Sequence, residues 1–258
     1  MNRFEKRLLL GIGLLVLLLA GLEAMAPKPQ DWSRTYSRRH KSPYGSRLVF
    51  ERLGDLFPSV NSVEQPIAAT AKQRMDALAA GEPVNHVFIN DQLEFNRHGA
   101  RHLLGMVAAG DHALLAAHAF GSELADTLRL AVEEPLAMRM DTIDIRFIGE
   151  PRMAEGAFRY ARGFPGTCFA RYDSARVRLV AVDGASRPVL LHMAWGRGRL
   201  VLCSAPLAFT NYNLLKDRNA AFAAAALSLL PPRAVWWDEY HKVARAESRS
   251  LFRFIKKQ

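Results

Sequence analysis

The sequence predicts an α/β fold: a mainly parallel sheet with a β-rich insertion, preceded by one transmembrane helix. Apolar strand patterns alternate with helical patterns between residues 60 and 128, which is typical of βαβ units and a parallel sheet. Strict alternation of apolar and polar residues at 142–147 and 176–180 indicates half-buried antiparallel strands instead. An uncharged apolar run at residues 8–22 indicates the membrane helix.

Residues 1–26 are predicted to form an N-terminal cytoplasmic tip and a transmembrane anchor. Three basic residues precede the apolar run, and Ala24-Met25-Ala26 extends it towards the roughly 20 residues that a spanning helix needs, with Glu23 at the interface. The alternative is a signal peptide that is cleaved after Ala26. Pro27 is a poor residue at the position after a cleavage site, which favours the uncleaved anchor.

Basic residues flank this anchor on both sides. The net charge is +10, and residues 27–41 are expected to be a solvated, basic juxtamembrane linker. Because positive charge lies on both sides, the positive-inside rule does not fix the orientation. Residues 242–258 combine basic and apolar side chains, so we expect a basic amphipathic tail on anionic lipid, a lead into a second span, or a solvated tail. This placement favours a lipid bilayer as the acidic partner, and no nucleic acid is expected.

The α/β domain is assigned to residues 42–241, and its elements follow from local sequence patterns. Helices are indicated at 42–57 (beginning with Ser42-Pro43), 67–80, 96–109 with Gly110 as a stop, from 122 onward, and 217–230. Strands are indicated at 60–63, 86–90, 114–117, 142–147, 176–180, 188–195, 199–204 and 234–237. Gly196-Arg197-Gly198 predicts a hairpin turn. Residues 142–182 are interpreted as the β-rich insertion, and the other strands as a flavodoxin-like parallel sheet.

The C-terminal third contains the most specific segments: Ala194 to Leu202, Ala205-Pro206-Leu207, Thr210-Asn211, Asp217-Arg218-Asn219 and Trp237-Asp238-Glu239-Tyr240-His241. With Ser42-Pro43-Tyr44-Gly45-Ser46 and Gly110 to Leu115, they resemble the bacterial family called domain of unknown function 4350 (DUF4350), over about residues 42–241. The resemblance implies a fold similar to class I glutamine amidotransferases and an exported domain on the bacterial inner membrane. Members often occur near genes for MoxR-type AAA+ ATPases, which implies a membrane or membrane-associated protein partner. Relatives commonly have a second transmembrane helix after the Asp-Glu-Tyr-His segment.

An amidotransferase-type hydrolase needs a Cys nucleophile on a tight strand-to-helix turn, with a His and a carboxylate to activate it. The turn after strand 114–117 is His118-Ala119-Phe120-Gly121-Ser122, which has no Cys. Cys168 lies in the insertion, and Cys203 lies in an apolar strand where a buried thiol is expected; whether the two pair stays open. The sequence therefore favours a non-enzymatic binding, scaffolding or sensing module. The alternative is a hydrolase or ligand-processing enzyme that uses the crevice near Asp238–His241.

The candidate ligand-binding or partner-binding residues lie around the carboxyl end of the final strand, where open α/β sheets bind ligands. They are Ser42, Tyr44, Gly45, Ser46, Asn211, Asn219, Asp238, Glu239 and His241. Carboxylates and imidazole suit a metal or a partner's basic group, but neighbouring strand residues point in opposite directions, which favours hydrogen bonds that fix the surrounding loops. Neither a metal nor a cofactor is predicted. Solvated surface positions are expected for five further histidines, whose spacing matches no metal-ligand motif: His86, His98, His102, His112 and His118.

Overall fold

A computed structural model describes residues 4, 11–18, 21, 30–134, 142–149, 155–161 and 164–242. The chain divides into two compact units, Met1–Asp31 and Trp32–Gln258. In the first unit, residues 11–18 are helical and exposed. Among the described residues, no helix has both the length and the apolar character that a membrane crossing requires. Most of the predicted anchor, and residues 243–258 of the predicted tail, lie outside the described residues.

The second unit is a mixed α/β domain. Its helices are α1 (Arg47–Arg52), α2 (Ile67–Ala79), α3 (Arg97–Ala109), α4 (Ser122–Leu128), α5 (Asn211–Leu214) and α6 (Asn219–Leu227), with 3-10 helices at Leu53–Asp55 and Pro206–Phe209. Its strands are β1 (Val60–Val63), β2 (Asn85–Ile89), β3 (Gln92–Leu93), β4 (His112–Ala116), β5 (Ala119–Phe120), β6 (Ala131–Glu133), β7 (Thr142–Phe147), β8 (Ala157–Ala161), β9 (Cys168–Arg171), β10 (Val177–Asp183), β11 (Pro188–Trp195), β12 (Gly198–Cys203) and β13 (Val235–Asp238).

The main sheet has nine described strands, in the order β1-β13-β2-β4-β12-β11-β10-β7-β8. The pairings from β1 to β12 are parallel, and those from β12 to β8 are antiparallel. The prediction of a mainly parallel sheet is therefore wrong for the sheet as a whole. The hairpin between β11 and β12 reverses the chain, and β10, β7 and β8 then add to the same sheet by antiparallel pairing. Strands β7, β8 and β10 of the predicted β-rich insertion thus belong to the antiparallel half of the main sheet, whereas β9 pairs with β6 in a separate two-stranded sheet.

Helices cover both faces of the parallel half. Those that follow β1, β2 and β4, namely α2, α3 and α4, pack on one face, against residues such as Phe88 and Leu115. On the other face, α1 and α6 pack against residues such as Ile89 and Leu114. Because successive strand residues point to opposite faces, a strand that is covered on both sides has a continuous apolar run. This explains the buried run Val87-Phe88-Ile89 in β2.

The compact unit begins at Trp32, ten residues before the predicted start of the domain, and its first helix begins at Arg47, after the predicted start of that helix. Residues 32–41, predicted as part of a solvated linker, belong to the compact unit, and Tyr36 is fully buried in its core. The helix predicted from Ser42-Pro43 begins at Arg47 instead. The carbonyl of Ser42 accepts a hydrogen bond from the side chain of Asn211 at 2.8 Å, which holds this stretch in a turn. A long-range contact therefore overrides the local helix signal.

Two local predictions are confirmed by backbone geometry. Helix α3 ends at Gly110, which has a φ of +129° that favours glycine. The hairpin between β11 and β12 turns at Gly196, which has a φ of +58°. A Cβ at Gly196 would lie 2.5 Å from Ala108 Cα, so this turn also requires glycine for the close approach of α3.

Candidate functional site

The carboxyl ends of the five parallel strands meet at one end of the sheet. The chain leaves β1, β2 and β4 towards the helices of one face and leaves β12 towards the helices of the other face. Strands β4 and β12 are neighbours, and just past their last paired residues Ala117 N donates to Cys203 O at 2.9 Å. The connections therefore reverse direction between these two strands, which is where open α/β sheets form ligand crevices.

Three hydrogen-bonded side chains lie at this reversal: His118, Thr167 and Ser204. His118 Nδ1 lies 2.9 Å from Thr167 Oγ1, and Ser204 Oγ donates to Thr167 O at 2.7 Å. The Thr167 hydroxyl donates its hydrogen to the Ser204 carbonyl, so it accepts from His118, and Nδ1 carries the proton. Nε2 is then a buried acceptor to which no described residue donates. Burial lowers the pKa of His118 to about 4, and the carboxylate of Asp91 opposes that shift.

Among the described residues, this neutral imidazole is not placed to activate a nucleophile. It donates to the Thr167 hydroxyl, whose own hydrogen goes to the Ser204 carbonyl, so it does not act as a base towards Thr167. The Ser204 hydroxyl donates to a backbone carbonyl, and the two cysteines are free and buried. Burial raises the pKa of the Cys203 thiol to about 12 and also raises that of Cys168. Because the thiolate is the reactive form, both thiols are poor nucleophiles at neutral pH.

Residues 34–46, which we call the cover segment, lie over the carboxyl ends of the parallel strands. Within it, Tyr36 is fully buried and has a φ of 49°, a conformation that is costly for a bulky residue. Its hydroxyl donates to Asp91 Oδ1 at 3.3 Å, and Arg34 pairs with the same carboxylate oxygen at 3.3 Å. Burial, helped by Asp91, raises the pKa of Tyr36 well above its ordinary value. Asp91 follows β2, so this contact ties the cover segment to the end of that strand.

The carboxylates of Asp238 and Glu239 also accept hydrogen bonds from groups of the same chain, and the two carboxylates point in different directions. Asp238 accepts from His241 N at 3.2 Å and lies 2.8 Å from His241 Nδ1. Glu239 accepts from Ser37 Oγ at 2.8 Å and from Arg38 N at 2.7 Å, both in the cover segment. The two carboxyl residues are only 3% and 5% exposed. Their divergence matches the alternation expected at the end of a strand.

Lys242, which follows β13, also lies at the carboxyl ends of the parallel strands. Its Nζ donates to Ile89 O at 2.7 Å and lies 4.9 Å from the ring centre of Trp237. Burial lowers the pKa of Lys242, and the nearby charges of Asp238 and Glu239 oppose that shift. The ammonium thus compensates two buried carboxylates, as buried charges require.

Asn211 fastens the loop at the other end of the cover segment. Its Nδ2 donates to His40 O at 3.0 Å and to Ser42 O at 2.8 Å, and its Oδ1 accepts from Leu48 N at 2.9 Å. Its backbone N donates to Gly45 O at 2.8 Å. A Cβ at Gly45 would lie 2.2 Å from His40 O, so only glycine fits there. The loop is therefore held by one amide side chain and one close backbone approach.

The structure thus brings together most of the residues that the sequence analysis selected. The loop fastened by Asn211 contains Ser42, Tyr44, Gly45 and Ser46, and the same cover segment bonds Glu239. Asn219 lies elsewhere, because its Nδ2 donates at 2.8 Å to the carbonyl of Arg159 in β8. Strand β8 is at the opposite side of the sheet from β1 and β13.

An aromatic cluster lies beside the loop. The rings of Trp32, Tyr44 and Tyr212 meet edge to face, with centroid separations of 5.5, 5.3 and 6.3 Å. Trp32 is 50% exposed, whereas Tyr44 and Tyr212 are partly buried. Lys216 Nζ lies 5.1 Å from the ring centre of Tyr212. Sequence reasoning selected Tyr44 but missed the other two rings, since positions 32, 44 and 212 meet only in the folded chain.

The expectation that the five further histidines are solvated holds for His98 and His102, which are exposed on α3. It is wrong for His86, which is 4% exposed and has its Nε2 2.8 Å from Asp111 Oδ2. It is also wrong for the buried Nε2 of His118. Both partners are remote in sequence, so local spacing gives no sign of them. Within the described ranges, no three His, Cys, Asp or Glu side chains converge in a way that could hold a metal ion.

These features define a mixed α/β domain whose parallel half is wound on both faces and whose strand ends are covered by the chain itself. A model of the family described as domain of unknown function (DUF4350) matches residues 38–227, and the chain belongs to this family. No curated protein sequence matches it.

Two solved structures share the fold. The mmIFT52 N-terminal domain matches with a TM-score of 0.52 and 13% identity, covering 72% of this chain and 89% of that chain. The cytoplasmic protein STM3548 from Salmonella typhimurium matches with a TM-score of 0.50 and 10% identity, covering 75% and 89%. At these identities the likeness concerns the fold alone.

Proposed function

We propose that this protein is a membrane-anchored, non-enzymatic binding, scaffolding or sensing module with an amidotransferase-like domain. The observation that carries the proposal is the coverage of the strand ends by the cover segment. Where an open α/β enzyme admits its substrate, this domain places buried side chains of its own: Tyr36, Glu239 and Lys242. A substrate would have to displace hydrogen bonds to buried charges, which is costly.

The aromatic cluster is the surface we assign to the partner. Trp and Tyr supply large contact areas and account for much of the binding energy at protein interfaces. Trp32, Tyr44 and Tyr212 are close enough to act together, and Trp32 is half exposed. Asn211, whose side chain bonds the loop that contains Tyr44, directly precedes Tyr212. The cover segment and the aromatic cluster therefore form one continuous surface. The partner we propose is another membrane or membrane-associated protein.

The alternative, a hydrolase or ligand-processing enzyme that uses the crevice near Asp238–His241, has weaker support. Both carboxylates there already accept hydrogen bonds from the chain. The two cysteines are poor candidates for its nucleophile, because their thiols are buried and have raised pKa values.

Anchoring by residues 1–26 at the bacterial inner membrane, as a single pass with the domain on the extracytoplasmic side, is also part of this proposal. It rests on the apolar run and on the family resemblance. Reporter fusions at Gln258 test it: alkaline phosphatase should be active. A silent phosphatase together with an active cytoplasmic reporter would reverse the orientation.

Site-specific photocrosslinking tests the partner surface in cells that make the full chain. A photoreactive phenylalanine analogue replaces Tyr212, and in a matched variant it replaces Thr127, which is exposed on α4. We expect a discrete protein adduct from position 212 that weakens when Trp32→Ala is added, and no such adduct from position 127. Equal adducts from both positions, or none from either, would contradict the proposal.

A further inference from the structure

A second surface, formed by helices rather than by strand ends, is an apolar groove along α1, α5 and α6. Its volume is about 450 Å³, and apart from one arginine and one aspartate its lining consists of leucine, alanine and valine. Three core residues contribute to that lining, Val49, Ala223 and Leu227, together with the partly buried Leu48 and Leu56. The groove is therefore an apolar surface that continues outward from the core.

The same groove has a projecting leucine on it. Leu215 belongs to the lining and is 75% exposed. Ala220 and Ala224 of α6 also belong to the lining and are exposed, and each extends only a methyl group into the groove. A single exposed leucine is ordinary on a protein surface, but one that adjoins an apolar groove is typical of an interaction surface. The surface thus contains both a projection and, above the two alanines, room to receive one.

The two charged residues of the lining have opposite signs. Arg52 Nη1 lies 3.5 Å from Asp55 Oδ2, and the two side chains are 81% and 65% exposed. An ion pair this exposed contributes little to the stability of a single chain. Each side chain can therefore exchange its partner at little cost when a second surface presents the same two charges. The charge pattern of the groove complements itself.

We propose that this groove is the interface of a symmetric homodimer. In a two-fold symmetric interface the same patch of both copies meets, so the patch must fit itself in shape and in charge. Leu215 of each copy fills the groove of the other above Ala220 and Ala224, and Arg52 of each copy pairs with Asp55 of the other. Every contact forms twice, and the burial of apolar surface supplies the driving force.

A second copy is the occupant that these features favour. An unrelated partner need not present an exposed leucine next to one acidic and one basic side chain, whereas a second copy necessarily presents all three. The inference does not rest on the function proposed above, because the three rings of the aromatic cluster are absent from the lining of the groove. Failure of one proposal therefore leaves the other standing.

Sedimentation equilibrium of the full chain in a density-matched non-ionic detergent tests the inference. We expect the mass of two chains for the wild type. Leu215→Asp should weaken the dimer about ten-fold or more, because it would bury an unpaired charge. Arg97→Asp is the matched control, since Arg97 of α3 forms another exposed ion pair of 3.5 Å, with Glu123. Its dimer affinity should stay within about two-fold of the wild type.

Two charge reversals test the pairing across the interface. Arg52→Asp places two acidic side chains opposite each other in the dimer, and Asp55→Arg places two arginines opposite each other. Each variant alone should therefore dissociate about ten-fold or more readily than the wild type. An equimolar mixture of the two variants restores opposite charges at both contacts and should recover the affinity to within about three-fold. Thermal unfolding checks that each variant is folded.

A monomeric wild type, or a dimer that Leu215→Asp leaves unchanged, would overturn the inference. Failure of the mixed charge variants to recover the dimer would also overturn it. A photoreactive phenylalanine analogue at position 215, in cells that make the full chain, identifies the occupant of the groove. An adduct between two copies of the chain supports the homodimer. An adduct with a different protein, or no adduct, would contradict it.

Discussion

Replacing His118 with Asn should make the folded protein less sensitive to acid. Burial lowers the pKa of His118 to about 4, whereas its ordinary value, expected in the unfolded chain, is 6.5. Between these values the folded state binds fewer protons than the unfolded chain. The stability that His118 contributes is therefore fully present above pH 6.5 and is lost as the pH falls towards 4. Linkage gives a loss of about 2.5 kcal/mol by about pH 4.5.

The assay is urea unfolding of the full chain, followed by tryptophan fluorescence between about pH 7.5 and about pH 4.5. Asn offers an N–H to Thr167 near the position of Nδ1 but does not titrate in this range. The stability advantage of the wild type over His118→Asn should therefore shrink by about 2–3 kcal/mol across the range. His112, whose pKa burial also lowers, is present in both proteins, so its contribution cancels.

His98→Asn is the control, because His98 is exposed on α3. Its pH dependence should match that of the wild type. If the wild-type and His118→Asn curves are parallel, His118 is not a buried neutral imidazole, and the reasoning about the strand reversal fails.

Three further predictions concern the covered strand ends. Gly45→Ala should lower the free energy of unfolding by about 1–3 kcal/mol in urea titrations, because the added Cβ would lie 2.2 Å from His40 O. Glu239→Gln should cost about 1–3 kcal/mol in the same assay, because a buried carboxylate that accepts three hydrogen bonds is lost. A disulfide reagent that releases a coloured thiolate should modify Cys168 and Cys203 only as fast as the protein opens, because both thiols are buried and protonated. Absorbance of the released thiolate measures the rate.

Each of these has a matched control or an outcome that contradicts it. A Cβ at Gly54 meets nothing within 4 Å, so Gly54→Ala should be tolerated; equal losses at positions 45 and 54 would argue against the close approach at His40. Glu51 is half exposed, so Glu51→Gln should cost far less than Glu239→Gln. Rapid modification of both thiols in the folded protein would contradict their burial.

Local sequence predicts many of the elements, because apolar runs and glycine turns act over a few residues. The strands at 142–147 and 188–195 have the predicted bounds, and α2 begins at Ile67 as expected. The pairing of β7 and β8 with the main sheet was not predictable in this way. It depends on the pairing of β7 with β10, which sets Phe147 opposite Ala181, and on the pairing of β8 with β7. These partners are too far apart in sequence for a local pattern to connect them.

The candidate site was predictable in part, for the same reason. Ser42–Ser46 and Asn211 were selected from sequence and do meet, through the Asn211 amide. The cover segment was not recognised, because an Arg- and Ser-rich stretch is typical of a solvated linker. Its burial depends on Tyr36 reaching Asp91, 55 residues later, and on Glu239 bonding Ser37, 202 residues earlier. Patterns within a few residues contain no information about such pairs.

Hydrogen exchange of individual amides in the full chain tests the closed strand ends most directly. Arg38 N donates to Glu239 and Leu48 N donates to Asn211, so both amides should exchange slowly, on the timescale of amides in β2. Glu239→Gln should speed the exchange of Arg38 more than that of Leu48. Exchange of both amides within seconds in the wild type would show that the cover segment opens freely. That result would contradict a closed binding module and favour an accessible crevice at Asp238–His241.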